Sequence, residues 1–191
     1  MTAVLHLAVA ELRDDASTED LAAVGELAAA LRNAEGARAG LVGASTSALV
    51  TATWLRSATE LEVFASSMEH MRFVTVGLSK VSAQVWSAAV GVPADSGPPP
   101  VVEALWAFAL PAEPAAFEWQ VRALLEAVER LPGVAACGQT IEERERWRAA
   151  GLVCLAKGED AAFEAALANE RPRWAALGEG LRTATVPVIA S

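Results

Sequence analysis

The order of apolar and polar positions repeats once along the chain, at a spacing of about 100 residues. The segments 3–12 and 103–112 both alternate apolar side chains with a period of two, which predicts a β-strand at the start of each half. A helix with apolar residues three and four positions apart is predicted after each strand. Ser17 and Asp20 form a candidate capping box for the first of these helices, and Pro114 suits the first turn of the second. The chain therefore begins the same fold twice.

The similarity continues through the rest of each half. Two further strands are predicted, then a second helix, and a short strand ends the half. In the first half these elements are 37–45, 47–57, 59–73 and 85–92, and in the second half they are 133–139, 148–156, 159–174 and 184–191. This order of elements is the ferredoxin-like β-α-β-β-α-β unit, in which two helices cover one face of an antiparallel sheet.

The two units define the predicted domain organisation of an α+β protein. We assign residues 1–92 to the first ferredoxin-like domain, 93–102 with its four prolines to a linker, and 103–191 to the second domain. Both faces of the first strand of each domain are apolar, whereas a water-facing strand would alternate with charges. The sheet face that the helices leave bare therefore needs a cover, and the equivalent face of the other domain can supply it. The expected result is a barrel within one chain.

Composition and charge narrow the classes of partner. Of the 191 residues, 53% are hydrophobic and 20% are charged, which is ordinary for a globular protein with a large core. The formal net charge of −9 and the scattered arginines argue against nucleic acid as a partner. No apolar run reaches the roughly 18 residues of a membrane span, and the N-terminus lacks a signal-peptide pattern. We therefore expect a cytoplasmic protein that does not associate with membranes.

Cysteine and histidine are scarce, and familiar catalytic motifs are missing. Cys137, Cys154, His6 and His70 are too few and too widely spaced for a structural zinc site or a disulfide framework. We predict that both thiols are buried and reduced, on neighbouring strands that bring them near each other. The chain has no phosphate-binding glycine loop, no Gly-x-Ser-x-Gly elbow, no His-Glu-x-x-His motif and no tyrosine. Nucleotide-dependent enzymes, serine hydrolases and zinc proteases therefore lose their sequence support.

Three residues are candidates for catalytic roles in an apolar cavity. Trp54, at the end of its predicted strand, either stacks on a flat aromatic ligand at a pocket mouth or belongs to the core. His70, on a helix that is apolar almost all round, accepts a proton, ligates haem iron, or is a hydrogen-bonded core residue. His6 is expected to point into the space between the two sheets, where it would share a pocket with its positional partner Trp106.

Further side chains are candidates for ligand binding. Arg72 can anchor a carboxylate or a quinone oxygen, the alternative being surface solvation. Pro172 is expected to bend or end its helix, so that Asn169 and Trp174 shape a cavity wall. Trp147, beside a charged hairpin tip, can cover a pocket. The complete set of predicted substrate-binding residues is Trp106, Arg72, Phe73, Phe108, Asn169 and Trp174.

The stretch TWLRSATELEVFASSMEH (53–70) resembles the antibiotic biosynthesis monooxygenase group of the dimeric α/β barrel superfamily. Proteins of this group commonly have a tryptophan at the end of the third strand, a helix that begins with glutamate and an apolar pair, and a histidine near the middle of that helix. In this chain the corresponding positions are occupied by Trp54, Glu60, Leu61 and His70.

The resemblance implies tandem ferredoxin-like domains that form an intramolecular dimeric α/β barrel. It also implies a tailoring enzyme of bacterial specialised metabolism that oxidises a polycyclic aromatic or polyketide-type substrate to a quinone without a cofactor. The deprotonated substrate would itself reduce O₂, with a histidine as proton acceptor and Trp54 orienting the ring. The chain departs from the group in having no tyrosine and only Asn33 and Asn169 as asparagines. Its second half has Val153 and Asn169 in place of the tryptophan and the histidine.

Other interpretations stay open. The same barrel supports polyketide cyclases, which need only shape and one acid or base. A protein without catalytic activity could hold haem or another flat aromatic ligand, and an accessory protein could have a solidly packed interior. The expected partner is a small aromatic or polyketide substrate. The expected assembly is a pseudo-dimeric monomer or a homodimer that uses the apolar helix 59–76.

Overall fold

The structure, a computed structural model, describes residues 2–112, 118–141, 146–175 and 181–190. The first half contains β1 (Thr2–Leu12), α1 (Thr18–Ala30), a 3₁₀ turn (Leu31–Asn33), β2 (Ala37–Ala44), β3 (Ala48–Leu55), α2 (Ala58–Ser66), α3 (Met68–Arg72), a π-helical turn (Phe73–Leu78), α4 (Ser79–Val81) and β4 (Ser82–Pro93). The second half contains β5 (Ala104–Pro111), α5 (Glu118–Glu129), β6 (Val134–Gln139), β7 (Trp147–Leu155), α6 (Asp160–Ala175) and β8 (Arg182–Ala190). The two halves repeat one order of elements, so the predicted tandem ferredoxin-like α+β fold is confirmed.

The eight strands form one antiparallel sheet in the order β4-β1-β3-β2-β8-β5-β7-β6. Strands β2 and β8 join the two halves on one side. On the other side β4 meets β6 at a bridge between Val90 and Thr140, and the Ile141 N–H donates to the Ala89 carbonyl at 3.0 Å. The sheet therefore curls into a nearly closed barrel, as the apolar strand faces predicted.

Alternation along the strands separates three hydrophobic cores. Inward-facing side chains such as Leu5 and Leu7 of β1 meet Leu105 and Leu152 of the second half inside the barrel. The outward faces pack against the helices of their own half and form one helix-side core each. Because removal of each leucine from water stabilises the fold by about 2 kcal/mol, the inner core holds the halves together.

Ser17 begins α1 as predicted. The Asp20 N–H donates to Ser17 Oγ at 3.0 Å, and the Ser17 hydroxyl donates to the Asp20 carboxylate at 2.6 Å. This contact satisfies one of the free N–H groups of the first turn. The predicted helix start at Pro114 lies outside the described residues.

The predicted helix 59–73 is interrupted at Ser67. This residue has extended backbone angles (φ −63°, ψ 154°), and its hydroxyl accepts from the His70 N–H at 3.3 Å, which caps α3. One face of the segment is buried, whereas Met68 and Met71 are 71% and 48% exposed. The all-round apolar pattern indicated a helix that is either buried or at an interface. The segment is only partly buried within the chain, and its role in a homodimer stays a prediction.

Helix α6 continues for three residues past Pro172, so the prediction that this proline ends the helix is wrong. Proline removes the hydrogen bond to the carbonyl four residues earlier, which belongs to Ala168. Ala168 lies on the exposed side of the helix, where water can bind that carbonyl instead.

The two cysteines are free and lie on neighbouring strands as predicted, but the register keeps the thiols apart. Cys137 is opposite Gly151 and Cys154 is opposite Val134, so the thiols are three rungs apart on β6 and β7. They also face different sides of the sheet, because Cys154 belongs to the inner core and Cys137 packs on the helix side. Burial raises the pKa of each thiol to about 12.

Candidate functional site

The two histidines meet between the sheet and the helices of the first half. His6 lies on β1, on the face opposite Leu5, and its ring centroid is 5.8 Å from that of His70 in an edge-to-face arrangement. Phe64 of α2 packs against both rings, at 5.3 Å from His6 and 4.9 Å from His70. The break at Ser67 allows this contact, because it redirects the chain into α3 before His70. Both histidines were predicted as candidate catalytic residues, but their contact with each other was not predicted.

His70 is held in one orientation by the backbone. Its Nδ1 lies 3.0 Å from the Ala65 carbonyl oxygen. A carbonyl can only accept, so Nδ1 carries the hydrogen and Nε2 is the basic nitrogen of the neutral ring. The ring is therefore fixed by α2 while its second nitrogen stays available for proton transfer or ligation.

Burial keeps both imidazoles neutral near pH 7. Desolvation lowers the pKa of His6 to about 4, and the charge that His70 acquires on protonation adds to this effect. Desolvation also lowers the pKa of His70, against the opposing effect of its hydrogen bond to Ala65. His70 therefore binds the first proton of the pair, and His6 binds a proton only in stronger acid.

His6 lines an open cleft of about 750 Å³ that extends over the free edge of β4. This volume is in the range of about 300–1,000 Å³ that is typical of sites for small organic ligands. On the helix side the cleft is bounded by Leu61 and Ala65 of α2. Beyond the edge of β4 it is lined by Trp86, Ala88, Pro111, Arg146, Trp147 and Arg182. The backbone bridge and hydrogen bond that join β4 to the second half are at Val90 and Ala89, and the cleft opens beside them along β4.

Trp54 lies on the opposite face of the sheet from the histidines, so its predicted position at a pocket mouth is wrong. It pairs with Leu5 across β1 and β3, points into the barrel, and is 1% exposed. Among the residues that the structure describes, its indole N–H has no hydrogen-bond partner. The core interpretation of Trp54 is therefore correct, and the register places Cys154, not Val153, at the equivalent position of the second half.

His6 and Trp106 hold equivalent positions in their strands but do not share a pocket, contrary to the prediction. Each faces the helices of its own half, because the residues on either side of it fill the barrel interior. Trp106 stacks on Phe108 at 5.3 Å and on Trp174 at 5.9 Å. The space that corresponds to the histidine site is thus filled by aromatic rings in the second half, which leaves the first half with the open site.

The other predicted binding residues do not line the cleft. Arg72 and Asn169 are exposed on the surface, and Phe73 is buried in the first helix-side core. Trp174 borders a separate groove of about 260 Å³ between α5 and α6, together with the exposed Trp119. Proximity in sequence to a histidine or a proline does not determine the direction of a side chain.

Of the predicted site residues, His6 alone lines the cleft, and its other lining residues were not predicted to bind a ligand. Trp86 lies within β4, Arg146 precedes β7 and Arg182 begins β8, and only the pairing of the two halves brings them together. Trp147 was predicted to cover a pocket, and it packs against Trp86 with a centroid distance of 5.6 Å. The sequence signal that could have indicated this wall is the presence of one tryptophan in each of β4 and β7, the strands on which Trp86 and Trp147 meet.

The described residues contain no group of three or more histidine, cysteine, aspartate or glutamate side chains that could hold a metal ion. Within the same ranges, no helix is long and apolar enough to cross a membrane.

Comparison with solved structures finds the same fold at low sequence identity. A protein of Fusobacterium nucleatum subsp. nucleatum named as a candidate monooxygenase matches with a TM-score of 0.60 and 11% identity, over 98% of this chain and 92% of its own. An anthrone oxidase-like protein matches with a TM-score of 0.59 and 13% identity, over 98% and 91%. A candidate monooxygenase of Lactobacillus acidophilus matches with a TM-score of 0.51 and 10% identity, over 99% and 94%.

No protein-family model matches the sequence, and the search of curated proteins finds no relative. At identities of 10–13% the structural matches show the fold alone. The chain therefore has the α/β barrel fold of these structures, built from two fused ferredoxin-like units, which confirms the fold that the 53–70 resemblance implied.

Proposed function

We propose that this protein is an oxygenase that acts without a cofactor on a polycyclic aromatic or polyketide-type substrate, bound in the cleft that His6 lines. The observation that carries the proposal is the neutral imidazole of His6 at the wall of a cleft of about 750 Å³, with the ring of His70 packed against it at 5.8 Å. A neutral histidine within reach of a substrate is a general base. The fold shared with an anthrone oxidase-like protein supports the choice of substrate class.

The two histidines divide the proton-transfer work. His6 faces the cleft and takes a proton from the substrate, and His70 behind it is the member of the pair that binds a proton more readily. Phe64 and Leu61 keep this region apolar, which disfavours the charged imidazolium, so His6 gives its proton up to the peroxide that forms on the substrate. His6 is accordingly the catalytic residue, and His70 is its positioning and proton-storing partner.

For an anthrone-type substrate the reaction balances without any other reductant. His6 removes a proton from the ring CH₂ group, and the resulting carbanion transfers one electron to O₂. The radical pair combines into a peroxide at the same carbon. His6 returns its proton to the outer peroxide oxygen. Loss of the second C–H proton then forms the carbonyl and breaks the O–O bond, and the departing hydroxide takes up that proton to become water. The carbon loses four electrons, and these reduce one O₂ to the carbonyl oxygen and one water molecule.

Oxygen uptake tests the proposal. Purified protein, treated with a chelator and free of haem, is given anthrone in an oxygen electrode, and the product is analysed by mass spectrometry after reaction under ¹⁸O₂. We expect uptake of one O₂ per anthrone above the spontaneous rate, with one labelled oxygen in the quinone. His6→Gln should lower kcat/KM by about 100-fold or more, the usual contribution of a general base. Arg171→Gln, an exposed change on α6, is the control.

Uptake no faster than the spontaneous rate would refute the oxygenase proposal for this substrate class. Conversion of a poly-β-keto substrate without oxygen uptake would instead indicate the cyclase.

Haem binding is the second candidate, and the orientation of His70 favours it. Iron-ligating histidines commonly donate their other ring N–H to a carbonyl, as Nδ1 of His70 does to Ala65 at 3.0 Å. His70 would hold the iron through Nε2, and bound haem would supply redox chemistry. Haem added to the purified protein should then give a shifted Soret band that disappears in His70→Ala and persists in His6→Gln. An unshifted band would exclude this role.

A further inference from the structure

The cleft contains an aromatic wall that the proposed proton transfer does not use. Trp86 of β4 and Trp147 of β7 lie with ring centroids 5.6 Å apart and planes inclined at 57°. Trp86 is 5% exposed and anchored in the inner core, whereas Trp147 is half-buried at the cleft surface. Each half contributes one ring, so this wall forms where β4 of the first half approaches β7 of the second half. Aromatic faces of this kind stack on flat ligands.

Two arginines lie beside the aromatic wall. Arg146 precedes β7 and Arg182 begins β8, and both line the cleft. Arg182 Nη1 is 3.7 Å from a carboxylate oxygen of Glu11, a long and partly exposed contact. The whole chain carries a formal net charge of −9, whereas this cleft wall carries two positively charged side chains.

The cleft therefore has chemically different sides. His6 faces the helices of the first half, and its β4 neighbour across the ladder is Ala89. The tryptophans and arginines lie beyond the edge of β4 toward the second half. A ligand that extends across this edge would place one ring near His6 and its other end near Arg146 and Arg182.

We propose that the cleft selects planar polycyclic aromatic carboxylates, with the rings against Trp86 and Trp147 and the carboxylate at Arg146 and Arg182. The inference deepens the proposed function, since it concerns the substrate class of the same cleft. Guanidinium groups bind carboxylates through paired N–H donors, and the ligand carboxylate replaces Glu11 as the partner of Arg182. A neutral aromatic of the same shape would gain only the stacking contacts.

Calorimetric titration tests the inference without any turnover. The probes are anthraquinone-2-carboxylate and neutral 2-(hydroxymethyl)anthraquinone, both already oxidised at the reacting carbon. We expect the carboxylate to bind at least about tenfold more tightly, because one charge-assisted contact is worth that ratio. The difference should shrink as salt is raised from about 50 to about 500 mM, because ions screen exposed charges.

Variants separate the contributions to binding. The double change Arg146→Gln and Arg182→Gln should remove the preference for the carboxylate and leave the neutral probe within about twofold of its original affinity. Trp147→Leu should weaken both probes, by about fivefold or more. Glu11→Gln should tighten the carboxylate alone, because it frees Arg182. Arg171→Gln is the matched control and should change nothing.

Equal affinity for the two probes, or absence of binding by both, would overturn the inference. A preference for the carboxylate that survives the double arginine change would do so as well. The outcome is independent of the oxygenase test: selective binding without oxygen uptake would leave this inference intact and refute the proposed reaction. Oxygen uptake with no difference between the probes would do the reverse.

Discussion

The buried histidine pair makes the stability of the protein depend on pH in a range where most other groups do not titrate. In the unfolded chain His6 has an ordinary pKa near 6.5, and in the folded protein burial lowers this value to about 4. Between these pH values the unfolded chain binds a proton that the folded protein does not. Stability is therefore fully present above pH 6.5 and is lost as the pH falls toward 4.

The magnitude follows from the same linkage. Each pH unit in this window costs about 1.36 kcal/mol, so a change from pH 7.5 to pH 5.5 should lower the free energy of unfolding by about 1.3 kcal/mol through His6 alone. The lowered pKa of His70 acts in the same direction. Both pH values lie above the sequence pI of about 4.8, which limits aggregation.

Urea denaturation at pH 7.5 and 5.5, followed by tryptophan fluorescence and circular dichroism, measures the difference. Wild-type protein should lose at least about 1.3 kcal/mol between the two conditions, and His6→Gln should lose less by about that amount. His6→Gln with His70→Gln should be nearly independent of pH in this range. The reasoning is refuted if wild type and His6→Gln lose the same stability, since His6 would then titrate alike in the folded and unfolded chains.

Three further predictions concern the barrel. Trp54→Phe should change the free energy of unfolding by less than about 1.5 kcal/mol, because loss of the unpaired indole N–H offsets the lost packing. The same variant should keep its kcat/KM. A large loss of activity would contradict the position of Trp54 on the inner face of the barrel. Gly138→Ala should lower the free energy of unfolding, measured by urea denaturation, by about 2 kcal/mol, because the added Cβ collides with the Gly91 carbonyl oxygen where β6 meets β4. An unchanged midpoint would show that β6 and β4 are less closely packed than described. Cys137 and Cys154 should react with a thiol reagent at pH 8 far more slowly than free cysteine, and rapid labelling would contradict their raised pKa values.

The fold was predictable from the sequence because it depends on order and periodicity. Strand alternation with period two, the Ser17 cap and the repeat of elements all act locally, and the structure has them at nearly the predicted bounds. The two apolar faces of β1 correctly required a second sheet. These signals do not depend on which face of a strand meets the helices.

The candidate site was predictable only in part, because alternation does not say which face is inner. His6 and Leu5 are adjacent and must point to opposite sides, but the sequence does not state which side meets α2. His6 and Trp106 were predicted to point between the sheets, but both point toward the helices. The predicted pocket position of Trp54 is wrong for the same reason, because its side chain points into the barrel. Helix periodicity likewise concealed the break at Ser67, because a serine fits within a helix as well as at its start.

Local sequence patterns could not predict the aromatic and cationic side of the cleft. Trp86 and Trp147 belong to different halves and meet because β4 and β7 approach at the barrel seam. Arg182 reaches the same wall from the last strand. Only the long-range register of the sheet determines these contacts.

A crystal structure of the protein soaked with anthraquinone-2-carboxylate would test the central claim most directly, since it locates the ligand among three alternatives. Our account predicts the rings between His6 and Trp147, over the edge of β4. Density inside the barrel beside Trp54, or in the groove between Trp119 and Trp174, would contradict it.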